Sequence, residues 1–126
     1  MEVSKVKYEY KDRIVFKQYF GVISVMDIAE TWLTAIKQNL LPGNSIGFIL
    51  DYRNARFDIE PGGHIEIPKF YQQHPDIFYG KRVAVLTVRP EDVVYPLLVQ
   101  VYDKGYESMP FSTVEAAIRW VKDSVF

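Results

Sequence analysis

The sequence contains no cysteine and almost no histidine. The first absence excludes disulfide bonds, Cys-type zinc sites and thiol nucleophiles, because each of these needs a cysteine sulfur. The two histidines, His64 and His74, stand ten residues apart, and no His-x-x-x-His spacing is present. Metal sites need several such ligands at converging positions. The sequence therefore predicts no metal site and no cofactor.

The chain also lacks an excess of charge of either sign. Its 15 Lys and Arg residues are balanced by 16 Asp and Glu residues, which gives a net charge of −1. The two halves of the chain are balanced in the same way. Nucleic-acid-binding domains usually carry clustered Lys and Arg residues. The charge distribution therefore predicts that nucleic acid is not a partner.

Long apolar runs are missing as well. The longest, Val93–Tyr102, contains Pro96 and is about half of the ~20 residues that a membrane span needs. The N-terminus alternates in charge and has no apolar core of a signal peptide. These features predict a cytoplasmic protein without membrane insertion, and the length of 126 residues predicts one domain over 1–126.

The clearest structural signal is the run Ile46–Tyr52. Five apolar or glycine residues in a row, Ile46 to Leu50, stand between Pro42-Gly43-Asn44 and Asp51. Such a run is too short for an isolated helix and is typical of a strand buried on both faces. Partners and ligands of open α/β sheets bind at the carboxyl ends of such strands. The irregular run Arg53–His64 behind this strand is therefore the predicted location of a functional site.

The segment before this strand predicts an antiparallel hairpin and a helix. Charged and apolar residues alternate from Lys5 to Lys11, and a second strand is predicted over Ile14–Ile23. Ser24 is the predicted N-cap of the first helix, and Asp27 completes a capping box.

The segment after it alternates between helix and strand patterns. A helix is predicted near His64–His74, where Pro75 ends it, and a buried strand follows over Val83–Val88. The next helix opens at Pro90 and runs through Val94, Leu97, Leu98, Val101 and Tyr102. Then follow an edge strand, Tyr106–Phe111, and a last helix that opens with the capping box Ser112–Glu115 and has Phe126 as its final apolar position.

The resulting order, β-β-α-β-α-β-α-β-α, predicts an α/β fold with a mixed, mostly parallel sheet of about five strands and four helices. This order resembles the STAS domain, named for sulphate transporters and anti-sigma-factor antagonists, and the related SpoIIAA-like proteins. The matching segments are Phe20–Ser24, Gly47–Asp51, Lys81–Leu86 and Phe111–Val121. The resemblance implies this fold and a role as an interaction or regulatory domain.

The resemblance does not imply a phosphorylation switch. In anti-sigma-factor antagonists, a serine or threonine in the loop after the central strand is phosphorylated. The corresponding segment here, Asn54–His64, contains neither residue. Its Pro61-Gly62-Gly63 turn also lacks the Gly-x-Gly-x-x-Gly and Gly-Lys-Ser/Thr patterns that hold phosphates.

Six residues at the end of the central strand form the predicted ligand-binding or partner-binding site. Arg53 and Arg56 supply positive charge, and His64 at a helix start can meet an anion. Asp51 with Asp58 or Glu60 has the alternative reading of paired carboxylates for acid–base chemistry, but strand-end acids usually cap a loop or face solvent. No catalytic residue is predicted. The six residues are Asp51, Arg53, Arg56, Gly62, Gly63 and His64.

These features predict a non-enzymatic domain that binds a protein partner or forms a homodimer. The alternative is an apolar or lipid-like small ligand held between helices and sheet, because aromatic residues make up 15% of the chain. A group of these aromatic residues surrounds the second predicted helix, and most of the group is predicted to lie in the hydrophobic core. Its members are Phe57, Phe70, Tyr71, Phe78 and Tyr79. An enzyme, the third reading, requires Asp51, Arg56 and His64 to line one pocket.

Overall fold

The computed structural model describes residues 5–123, which form one five-stranded sheet flanked by helices. The strands of these residues are β1 (Val6–Lys11), β2 (Ile14–Ile23), β3 (Gly47–Phe57), β4 (Arg82–Leu86) and β5 (Glu107–Phe111). The α-helices are α1 (Val25–Lys37), α2 (Glu66–Gln73), α3 (Pro75–Phe78), α4 (Pro90–Gln100) and α5 (Val114–Lys122). A 3₁₀ turn, Gly63–Ile65, precedes α2.

The strands lie in the sheet in the order in which they occur in the chain. β1 is antiparallel to β2, and every later neighbour is parallel, so β3 is the central strand and β5 is an edge strand. The predicted α/β fold with a mixed, mostly parallel sheet is confirmed. Because each connection moves one strand further in the same direction, right-handed crossovers place their helices on one face.

The two faces of the sheet carry cores of different composition. Helices α1 to α4 cover a core rich in aromatic side chains, where Trp32 packs edge-on against Phe48 and Phe78 at ring-centroid distances of 5.3 and 5.1 Å. Of the described helices, only α5 covers the other face, where Ala117 and Val121 pack on the aliphatic side chain of Ile49. The central strand therefore belongs to both cores.

The predicted end of the central strand at Tyr52 is wrong, because β3 continues to Phe57. A β-bulge lies where Gln18 pairs with Asp51 but Phe20 pairs with Asn54, so that two residues of β3 oppose Tyr19. A bulge of this kind reverses the alternation of side chains between the two faces. The second half of the strand therefore shows no simple period in the sequence.

The predicted number of four helices is also wrong, because the described residues form five. The predicted helix near His64–His74 is a 3₁₀ turn followed by α2, and the short α3 begins at Pro75. Proline cannot continue α2, but its fixed φ suits the first position of a new helix. None of the helices within residues 5–123 has the length and apolar character needed to cross a membrane.

The first predicted capping box is confirmed, and the second is wrong, because the N-cap of α5 is Thr113 and the residue three positions on is Ala116, whose methyl group cannot accept a hydrogen bond. Ser24 Oγ accepts a hydrogen bond from the Asp27 N–H, and the Ser24 N–H donates to Asp27 Oδ2. In α5 the N-cap is Thr113, whose Oγ1 accepts from the Ala116 N–H at 3.3 Å. Phe126, the last predicted apolar position, lies outside the described residues.

The start of β3 depends on a glycine that allows α5 to approach the sheet. A Cβ at Gly47 would lie 2.5 Å from the Arg82 carbonyl oxygen and 2.7 Å from Val121 Cγ1. We expect Gly47→Ala to lower the free energy of unfolding by about 1–3 kcal/mol, since backbone atoms must move to accept the methyl group. Urea unfolding followed by circular dichroism measures this change. The control is Gly43→Ala, where a Cβ has no neighbour within 4 Å, and equal stabilities of the two variants would contradict the prediction.

Candidate functional site

Asp51 and Arg53 form a closed ion pair on β3. Arg53 Nε donates to Asp51 Oδ1 at 2.9 Å, and Arg53 Nη2 donates to Asp51 Oδ2 at 2.9 Å. The Arg53 backbone N–H also donates to Asp51 Oδ1 at 3.0 Å, so the carboxylate binds the backbone at the bulge. These hydrogen bonds raise the pKa of Arg53 above its ordinary value. The carboxylate and the guanidinium therefore have each other as hydrogen-bond and charge partners.

A surface pocket of about 210 Å³ contains this ion pair on the α5 side of the sheet. Its polar lining comes from three strands, and Val114 of α5 and Leu86 of β4 form part of its apolar wall. The polar lining includes Lys7, Glu9, Gln18, Asp51 and Arg53. This pocket has charges of both signs, so it does not select an anion over a cation.

The other four predicted residues lie away from this pocket. Arg56 is exposed on β3 opposite Val22, in the strand and not in a loop as predicted. Gly62 has φ +81°, a conformation that glycine adopts without strain, and it caps the 3₁₀ turn that contains Gly63 and His64. The His64 ring lies 6.3 Å from the ring of Tyr102, which follows α4.

The sheet therefore separates the predicted site into two parts. Asp51 and Arg53 lie on the α5 side, whereas the turn with His64 packs beside α4 on the opposite side. Neither Arg56 nor His64 lines the pocket that holds Asp51, which is the juxtaposition that the enzyme reading requires. Among residues 5–123, no group of three or more His, Asp or Glu side chains could hold a metal ion.

The helix beside this turn exposes an apolar face. Between Val93 and Val99 α4 contains no charged residue, yet only Pro96 and Val99 of that stretch are buried. Its outward positions recur at helical spacing, and Ile65 of the 3₁₀ turn, which packs against α4, is also exposed. We call this the α4 surface; it consists of Ile65, Val94, Leu97, Leu98, Val101 and Tyr102.

The α4 surface is unusual among the helices of this chain. The outer positions of α1 include Glu30 and Lys37, and those of α5 include Glu115 and Arg119. A helix that is apolar on all sides is normally buried. The sequence signal for this feature is the uncharged stretch of α4, but sequence alone does not tell whether another element of the chain covers it.

The space between α2, α4 and the sheet contains a small cavity. It measures about 30 Å³ and is lined by apolar and aromatic side chains, including Tyr52, Tyr71 and Tyr95. A volume of this size holds roughly one or two water molecules, whereas small-molecule sites measure about 300–1,000 Å³. Binding of an apolar ligand here stays a prediction, and it requires α2 and α4 to move apart.

Two solved structures share the architecture of this chain. An uncharacterized protein of the DUF3478 family with a SpoIIAA-like fold, from Shewanella loihica PV-4, aligns with a TM-score of 0.62 and 16% identity. That alignment covers 92% of this chain and 91% of the other. The anti-sigma factor antagonist SpoIIAA in its unphosphorylated form aligns with a TM-score of 0.52 and 21% identity, over 93% and 97% of the two chains.

The chain has the SpoIIAA-like fold. The resemblance that the order of elements indicated is thereby confirmed at the level of the fold. No family model matches the sequence, and no curated protein sequence matches it. The function of this SpoIIAA-like chain must therefore be inferred from its own residues.

One buried charged residue of the SpoIIAA-like core was missed by sequence reasoning. Lys17 on β2 is fully buried, and its Nζ lies 3.8 Å from the centroid of the Trp32 ring and 4.7 Å from that of Tyr19. This Nζ has no hydrogen-bond partner among the described residues. Burial lowers the pKa of Lys17 well below its ordinary value. The sequence signal that indicates this burial is the position of Lys17 between Val15 and Tyr19, which share one face of β2.

Burial of this lysine makes the free energy of unfolding depend on pH. Because its pKa is lower in the folded than in the unfolded chain, the unfolded chain binds the proton more tightly. Stability therefore rises with pH between the folded pKa and about 10.5, by up to about 1.4 kcal/mol per pH unit. Burial raises the pKa of Tyr106 to about 12, so ionisation of unfolded tyrosine opposes this trend above about pH 10.

We expect Lys17→Met to raise the free energy of unfolding at pH 7 by roughly 1–3 kcal/mol, because it removes a buried donor without a partner. The rise of stability with pH in the wild type should become flatter in the variant. Chemical denaturation at several pH values between 7 and 9.5 measures both effects, and Lys7→Met, at an exposed position of β1, is the control. A less stable Lys17→Met variant would contradict the prediction.

The ion pair on β3 leads to a prediction about the stability of variants at Asp51 and Arg53. Asp51→Ala removes the acceptor of the Arg53 backbone N–H as well as the charge pair, and should cost about 1–2 kcal/mol. Arg53→Ala leaves that backbone hydrogen bond in place, and an exposed ion pair contributes less than about 1 kcal/mol. Thermal unfolding of the two variants compares these costs. A larger loss in Arg53→Ala than in Asp51→Ala would show that the bulge does not depend on the carboxylate.

Proposed function

We propose that this chain is a non-enzymatic regulatory domain that acts by binding a protein at the α4 surface. The observation that supports the proposal is the uncovered apolar face of α4 together with Ile65. Water contact with such side chains is unfavourable, and burial of apolar area contributes about 25 cal/mol per Å². Contiguous exposed apolar patches of this kind usually mark interaction sites.

The location of the surface agrees with the fold. The α4 surface includes Ile65 of the 3₁₀ turn, which follows the carboxyl end of β3, and Gly62, Gly63 and His64 lie at its margin. We therefore propose these three residues as part of the partner-binding region. Asp51 and Arg53 lie on the other side of the sheet and would not touch the same partner.

The composition of the surface favours a protein over other partners. Ile65, the ring of Tyr102 and four further aliphatic side chains, two valines and two leucines, offer apolar and aromatic anchors of the kind that dominate binding energy at protein interfaces. Exposed Glu66 and Glu91 lie beside them, as in the polar rim of such interfaces. SpoIIAA, which has the same fold, is an anti-sigma factor antagonist, a role exercised against another protein. Action in the cytoplasm is part of the proposal.

The test measures whether the protein forms a complex with a partner in native lysate. It compares the wild type with variants at two leucines that are equally exposed. Leu97 of the α4 surface is 48% exposed, and Leu33 of α1 is 49% exposed. We expect the wild type and Leu33→Glu to be recovered in a complex of defined stoichiometry, and Leu97→Glu to lose at least tenfold of it, because a charge in an apolar contact is costly. Affinity capture followed by native mass spectrometry measures the complex.

Two results would overturn the proposal. One is a wild-type chain that is strictly monomeric and carries no protein partner. The other is a complex that Leu97→Glu retains at the wild-type level. Circular dichroism must show the same thermal unfolding for both variants, so that a loss of binding does not reflect a loss of fold.

A further inference from the structure

The pocket that contains the Asp51–Arg53 ion pair also holds two opposite charges that are not paired. Lys7 and Glu9 of β1 both line it, and both are exposed. They stand two residues apart on one strand, so they share one face of the sheet, opposite to Tyr8, whose hydroxyl reaches α1. Neither forms an ion pair with another residue within 5–123. The pocket therefore offers a positive and a negative group side by side.

The remaining charges of the pocket sum to zero as well. Arg53 uses Nε and Nη2 for its two hydrogen bonds to Asp51, so its Nη1 is left as a donor. Lys17 also borders the pocket, but its Nζ lies against the Trp32 ring on the opposite side of the sheet. The four charged side chains that act in the pocket are therefore two cations and two anions.

One wall of the pocket is apolar. Phe16 of β2 and Val114 of α5 are half-buried, so part of each side chain is open to the pocket. Behind them, Ile49 and Leu86 are fully buried and keep water from the sheet. Contact with this wall is favourable for an apolar group, because it removes apolar surface from water. A ligand that fills the pocket therefore needs an apolar part besides its charges.

The volume of the pocket limits the size of the ligand. It measures about 210 Å³, whereas sites for drug-sized molecules begin at about 300 Å³. Since one water molecule takes about 30 Å³ of the liquid, the pocket has room for roughly seven waters or a solute on the order of ten non-hydrogen atoms. The ligand is therefore a small metabolite and not a nucleotide or a peptide chain.

We propose that this pocket binds a free α-amino acid with an apolar side chain. Its carboxylate accepts hydrogen bonds from Lys7 Nζ and Arg53 Nη1, its ammonium group donates to the Glu9 carboxylate, and its side chain packs on Phe16 and Val114. The inference goes beyond the proposed function, because the pocket and the α4 surface lie on opposite sides of the sheet.

The lining disfavours the other classes of small ligand. An anion without a cationic group would face the like charge of Glu9, and a cation without an anionic group would face Lys7. A neutral apolar molecule would displace water from both side chains without replacing its hydrogen bonds, which is unfavourable. A zwitterion with an apolar part is the class that pairs both charges and also covers the wall.

The first experiment compares ligands by nuclear magnetic resonance. The purified, ¹⁵N-labelled full chain is titrated with L-valine, L-leucine and L-phenylalanine, and with two analogues of leucine that lack one charge each, 4-methylpentanoate and 3-methylbutylamine. We expect at least one amino acid to give saturable shifts of the Gln18 and Val114 amides, and leucine to bind at least tenfold more tightly than either analogue. No saturation by any amino acid up to about 20 mM, or an analogue that binds as tightly as leucine, overturns the inference.

The second experiment locates the site with variants of β1, titrated with the amino acid that binds most tightly. Lys7→Gln and Glu9→Gln should each raise its dissociation constant at least fivefold, because each leaves one ligand charge without its partner. The matched control is Lys11→Gln, an exposed position of the same strand and face outside the pocket lining, which should bind as the wild type does. Wild-type binding in either pocket variant, or an equal loss in Lys11→Gln, overturns the inference.

The readouts also keep this inference apart from the proposed function. Leu97→Glu, which alters the α4 surface, should bind the amino acid as the wild type does, and thermal unfolding must show that all variants are folded. If amino-acid binding is absent while Leu97→Glu loses a protein complex, the inference fails and the proposed function stands. If the amino acid binds and no complex is found in lysate, the reverse holds.

Discussion

The pairing of β3 with two parallel neighbours is the contact on which the rest of the structure depends. Its first half joins β2 on one side and β4 on the other. Phe48 and Leu50 point into the aromatic core, and Ile49 points into the core under α5. Every helix packs on a surface that this strand helps to form. A change in its register would exchange the side chains of the two cores.

Local signals in the sequence were sufficient for much of this fold. The unbroken apolar run of β3 and the Ser24–Asp27 capping box are readable because they depend on neighbouring residues. The extension of β3 to Phe57 was not readable, since the bulge opposite Tyr19 interrupts the alternation. The burial of Lys17 depends on Trp32, which lies on a separate element, and no local pattern reports that contact.

Prediction of the candidate site from the sequence was limited in the same way, because it depends on more than neighbouring residues. The sequence pointed to the end of β3, whereas Asp51, Arg53 and Arg56 lie within that strand and Gly62, Gly63 and His64 lie in the turn that precedes α2. It did not show that Asp51 and His64 are separated by the sheet, because side-chain direction in a strand changes with every residue and again at a bulge. The apolar character of α4 was readable from Val93–Val99, whereas its exposure depends on how the helix is rotated against the sheet.

The order of the strands in the sheet has a consequence for synthesis on the ribosome. Since the sheet order equals the chain order, each strand emerges when the neighbour it pairs with has already been made. The sheet can therefore grow by addition at one edge, without waiting for distant sequence. One surface is an exception: Ile49 and Ala84 stay uncovered until α5, which follows all five strands, leaves the exit tunnel. A nascent chain that stalls before this point presents a bare aliphatic sheet face, which chaperones recognise.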